Sequence, residues 1–82
     1  MHRATITNEK GTLLGEATGA RPAQTCRAAA DQSRTHGWGP SGCRLALSND
    51  DGPVLVAWGD SPRDAAQEAT RMLAKAARGG GR

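Results

Sequence analysis

The chain has 82 residues, a formal charge of +3 and a pI near 9.5, and nine of its eleven basic residues are arginine. A chain of that size makes one small domain, whose core contributes on the order of a few kcal/mol beyond the entropy of ordering it. No apolar run is long enough to span a bilayer or to form the core of a signal peptide, which excludes a membrane helix and points to a cytoplasmic protein. Arginine forks suit phosphate, so the basicity is compatible with nucleic acid. Richness in Arg, Ala and Gly is equally what a GC-rich coding sequence supplies.

The first strand spans roughly residues 3 to 7, where Ala4 and Ile6 alternate with Arg3, Thr5 and Thr7. Asn8-Glu9-Lys10-Gly11 closes it. The second strand, about residues 12 to 17, pairs back with Leu13, Gly15 and Ala17 on the face of Ile6 and with Leu14 and Glu16 opposite. Pro22 opens a helix that extends to about Thr35, with Ala23, Cys26, Ala29, Ala30 and Ser33 on its inner stripe. Residues 35 to 42 hold three glycines and a proline and read as a loop around Trp38.

A second hairpin follows over residues 44 to 58, with Leu45, Leu47, Val54, Val56 and Trp58 assigned to the core and Arg44, Ala46, Ser48, Leu55 and Ala57 to the other face. Ser61-Pro62-Arg63-Asp64 starts a second helix that runs to about Arg78, burying Ala65, Ala69, Met72, Leu73 and Ala76. Residues 79–82 form a flexible basic tail.

The two hairpins share a pattern. Arg3, Asn8 and Gly11 recur as Arg44, Asn49 and Gly52 at an offset of 41 (44 − 3), and Pro22 recurs as Pro62 at 40 (62 − 22), with one residue lost before the helix. The expected fold is therefore α+β: a tandem ββα repeat, with halves at about 2–36 and 43–78 of a single domain at 1–78. It forms a four-stranded antiparallel sheet with two helices packed on one face. Two strand orders satisfy it: the first and third strands central, or the second and fourth.

The other face is left open. It would carry Arg3, Arg44, Thr5, Thr7 and Ser48, donors suited to phosphate, and no aromatic ring for base stacking. Leu14 and Leu55 stand on it as equivalent exposed leucines, which suggests a contact between copies or with a protein partner. Arg34, His36 and Trp38 in the loop add phosphate ligands and a possible anchor, with Trp38 equally able to close over the sheet's end. Arg21 and Arg27 would extend the basic surface.

His2, Cys26, His36 and Cys43 are zinc-ligand types, but their spacing matches no finger or knuckle, so no metal is expected. Cys43 with His36 lacks an orienting carboxylate, and no cofactor-cradling loop occurs, so no enzyme is expected. The leading expectation is a small non-catalytic nucleic-acid-binding or regulatory protein contacting DNA or RNA through Arg3, Arg34, His36 and Arg44. The alternative is a protein-interaction module anchored by Trp38 or by Leu14 and Leu55. The core holds no Phe or Tyr and few large aliphatics, so a homodimer is expected in either case.

Overall fold

The computed structural model describes residues 1–33 and 42–79, with side chains through residue 77. The elements are β1 (His2–Asn8), β2 (Leu13–Gly19), α1 (Pro22–Gln32), β3 (Cys43–Asn49), β4 (Gly52–Gly59) and α2 (Pro62–Gly79). The strands form one antiparallel sheet in the order β2-β1-β3-β4, so of the two expected orders the first and third strands are the central pair. α1 packs on β2 and β1, α2 on β4 and β3, and the helices touch each other. The chain is thus α+β with both helices above one face of a four-stranded sheet.

Local chemistry explains the ends of these elements. Asn8 and Asn49 each turn a side-chain oxygen onto the backbone N–H two residues on, at Lys10 (2.9 Å) and Asp51 (2.8 Å), which closes each hairpin as an Asx turn. Gly11 (φ 84°) and Gly52 (φ 123°) then take a left-handed backbone that other residues resist. Pro22 and Pro62 open the helices, where a missing N–H costs nothing. α1 ends at Gln32, three residues short of the expected Thr35 (35 − 32), because Ser33 is already extended (φ −73°, ψ 138°) and donates its N–H to Ala30 O at 3.1 Å. Residues 80–82 of the expected tail lie outside the described residues.

The core lies between sheet and helices and consists of Ala4, Ile6, Cys26, Ala29, Cys43, Leu45, Leu47, Ala57, Ala65, Ala66 and Ala69. Only three of these, Ile6, Leu45 and Leu47, are large aliphatics, and alanines make up most of the rest. Small side chains on both helices bring them close to the sheet. At Gly15 the approach is limiting, since a methyl group there would land on the Ala29 carbonyl oxygen and on Ser33 Oγ.

The expected faces hold for β1 and β3 and fail for β4. Leu47 pairs with Leu55 and Leu45 with Ala57, so Leu55 and Ala57 face the core while Val54, Val56 and Trp58 face outward. Turn length is the cause. Gly15 stands nine positions after its partner Ile6 (15 − 6), whereas Leu55 stands eight after Leu47 (55 − 47). The turns match as far as Gly11 and Gly52, so the second hairpin is shorter by one residue just after its turn glycine, and the difference does not lie before the helix. A one-residue slip inverts every side chain beyond it. In β2 the correction is confined to a bulge. Thr7 pairs with Leu13, which moves Leu13 to the open face, while the extra residue, Leu14, packs against the core. Late in α2, Met72 and Ala76 are exposed and not buried as expected, while Leu73 between them packs against the core.

Candidate nucleic-acid interface

The open face is organised as rows of paired residues across the four strands. One row is Leu13, Thr7, Arg44 and Trp58; the next is Glu16, Thr5, Ala46 and Val56; the third is Thr18, Arg3, Ser48 and Pro53. Residues paired across strands project to the same side with Cα atoms about 4.5–5.5 Å apart. Arg44 and Trp58 are such a pair. Trp58 is 65% exposed, a large ring left in solvent one residue from the end of β4. Val54 and Val56 beside it are 39% and 38% exposed.

The two arginines of the face differ. Arg3 Nε donates to Glu16 Oε2 at 2.7 Å and its Nη2 lies against the same oxygen, so this guanidinium is already neutralised by a neighbour. Arg44 makes no ion pair among the described residues and is exposed between Thr7 and Trp58. A free guanidinium next to an exposed indole can engage a phosphate while the ring stacks on a base.

The remaining expected site residues separate from this pair. Leu14 and Leu55 are half-buried and pack against the core, so the exposed leucine pair is not present on the open face. The bulge and the shorter second turn account for it. Arg34, His36 and Trp38 lie outside the described residues. Arg21 precedes α1 and Arg27 is on it, over the other face of the sheet, so neither extends the open surface. Trp58, Val56 and Leu13, assigned to the core by their alternation, are surface residues. For Trp58 and Val56 the signal is the length of the second turn, with Asp50 and Asp51 alone between β3 and β4, whereas Leu13 is turned out by the bulge in the first hairpin.

A groove of about 800 Å³ runs between the helices, with Arg27, Asp31, Ser61, Arg63, Gln67 and Thr70 among its walls. Its charges are of both signs. Its hydroxyls serve the helices themselves: Ser61 Oγ accepts from the Asp64 N–H at 3.2 Å, and Thr70 Oγ1 donates to Ala66 O at 2.8 Å. Cys26 and Cys43 are buried free thiols. Burial pushes the Cys26 thiol up to about 11 and raises Cys43 above its ordinary value, so both are poor nucleophiles. Among the described residues no group of three or more His, Cys, Asp or Glu side chains gathers to hold a metal, and no helix is long and apolar enough to cross a membrane. Comparison of the chain with protein-family models, with curated proteins and with solved structures returns no match.

Proposed function

We propose that the open sheet face binds single-stranded nucleic acid, with Trp58 stacking on a base and Arg44 contacting the adjacent phosphate. The exposed Trp58 directly across from the unpaired Arg44 carries the reading. Thr5, Thr7 and Ser48 line the same face and supply hydroxyl donors along the strand's path. A stacking ring tolerates any base, so binding of this kind is broad in sequence preference and steep in salt dependence. The reading makes the protein a non-catalytic binding module acting on DNA or RNA.

The tandem ββα plan belongs to the same proposal. Its support is the register: β1 and β3 pair so that Arg3 meets Ser48 and Thr7 meets Arg44, related by exchange about the Thr5–Ala46 pair. Further support comes from the helix starts, where Thr25 donates its N–H to Arg21 O at 2.9 Å and Ala65 does the same to Ser61 O at 3.0 Å. On this plan Arg3 opposite Thr18 corresponds to Arg44 opposite Trp58. One half carries an arginine held by Glu16, the other a free arginine beside a ring. The binding site is then a specialisation of the second half.

The test is tryptophan fluorescence in a Trp38→Phe background, titrating a single-stranded thymidine oligonucleotide at several salt concentrations. Saturable quenching is expected, weakening with log salt by about 0.7 for each phosphate neutralised. Trp58→Ala should weaken binding, followed with a labelled oligonucleotide, by roughly tenfold to a hundredfold. Unchanged affinity in Trp58→Ala, or no binding at low salt, overturns the proposal.

A further inference from the structure

Exposed apolar side chains are concentrated at one edge of the molecule. Of the six large hydrophobic residues left in solvent among the described residues, Val54, Val56 and Trp58 belong to β4 and Met72 lies on α2 above it, against Leu13 alone on β2 and Met1 at the terminus. Met72 is seven positions on from the buried Ala65 (72 − 65), whose backbone crowds Gly59 at the end of β4, so the two share the helix stripe that covers this strand. β4 is also an edge strand with a row of backbone groups that no strand among the described residues pairs.

The two edges of the sheet are protected differently. β2 carries Glu16 with its Arg3 partner, a charge that opposes the approach of another strand. β4, over Gly52–Gly59, has no charged residue at all, and Pro53 guards only its beginning. An uncharged, apolar edge is complementary to another of the same kind, and the second copy of this chain supplies one.

We infer that β4 pairs antiparallel with β4 of a second copy about a two-fold axis at Val56, joining the two sheets into one of eight strands. An axis perpendicular to the sheet keeps both open faces on one side, and residues opposite each other must share a face. Self-pairings centred on Leu55 and on Val56 each overlap seven residues (52–58 and 53–59); the second makes fuller use of the regular end of β4, beyond the bulge at Val54, and sets Val56 against Val56 and Val54 against Trp58 of the second copy. Strand length fixes the scale. Eight residues span about 27 Å, and the shortest dimension of the molecule is 18 Å. The footprint is therefore roughly 500 Å² per copy, or about 1,000 Å² in all, at the low end for a specific interface. Such a dimer dissociates on dilution. The inference does not depend on what the open face binds.

Sedimentation of the full chain without nucleic acid, from about 1 µM to about 1 mM, tests it. The mass is expected to rise from 8.5 kDa to about twice that. Val56→Lys and Val56→Glu should each stay monomeric, since like charges then face each other across the axis, and an equimolar mixture of the two should recover the dimer. Ala46→Lys, central on the open face, should leave the dimer intact, whereas a dimer packed face to face would be lost. In the unaltered chain, amide exchange in β4 should slow as concentration rises while that in β2 does not. A monomer at every concentration, a dimer indifferent to both Val56 variants, or concentration-independent exchange in β4 would overturn the inference.

Discussion

Replacing Gly15 by alanine tests how closely α1 sits on the sheet. The added methyl meets both Ser33 Oγ and the carbonyl oxygen of Ala29. The hydroxyl can rotate away, but the carbonyl belongs to the helix backbone. To restore ordinary van der Waals contact, α1 must lift from β2 by roughly 1 Å, and a gap of that size forfeits a quarter to a half of the dispersion energy of the groups it separates. Cys26 and Ala29 are fully buried on that helix and lose contacts directly. Overpacking of this type costs about 1–3 kcal/mol. Relief of glycine's entropy in a strand returns roughly 0.5–1 kcal/mol, leaving a net loss near 1–2 kcal/mol. For a domain of this size each kcal/mol moves the midpoint by about 4–8 °C, so Gly15→Ala should melt about 5–15 °C lower by far-UV circular dichroism. Gly15→Ala with Ser33→Ala should recover only the hydroxyl's share. A single variant that melts with the parent, or a double variant that recovers fully, would refute the reasoning.

Other changes read different parts of the structure. The buried Cys26 thiol holds its proton to about pH 11, against 9.0 for a free thiol. The native state therefore binds more protons than the unfolded chain between those values, and stability present below pH 9 should fall as pH rises, by on the order of 2–3 kcal/mol. Cys26→Ala should flatten that alkaline slope in denaturant titrations. Glu16→Gln frees Arg3 and should strengthen oligonucleotide binding and steepen its salt dependence by about one phosphate contact; an unchanged slope would mean that Arg3 is outside the path of the strand. Ser61→Ala removes the oxygen that accepts the Asp64 N–H and should cost about 1 kcal/mol in thermal melts, whereas Arg21→Ser, at a helix start with no side-chain cap, should gain a similar amount.

The sequence is legible where one residue type has one physical use. Pro22 and Pro62 mark the helix starts because only there is a missing N–H harmless. Asn8, Gly11, Asn49 and Gly52 mark the turns because their side chains or left-handed backbones close them. The alternation of β1 and β3 reads correctly, since each has one clearly apolar face: Ala4 and Ile6, then Leu45 and Leu47. Local patterns satisfy two strand orders equally, because the β1–β3 pairing that distinguishes them joins segments far apart in the chain.

β4 is where pattern reading gives the wrong answer, and the reason is the size of its side chains. Val54, Val56 and Trp58 are bulkier in sum than Leu55 and Ala57, so apolar content alone sends them inward. The layer above has no room for them. α2 meets the sheet through Ala65, Ala66 and Ala69, and its backbone at Ala65 comes so close to Gly59 that even a methyl group would collide there. Ala57, at 1% exposure, fits that spacing, and an indole at the same depth would force the helix off the sheet. The shorter turn after Gly52 therefore does two things at once. It sets the small side chains under the helix, which the alanine core requires, and it turns Trp58 out beside Arg44. The proposed binding pair and the close packing of α2 are two sides of one register.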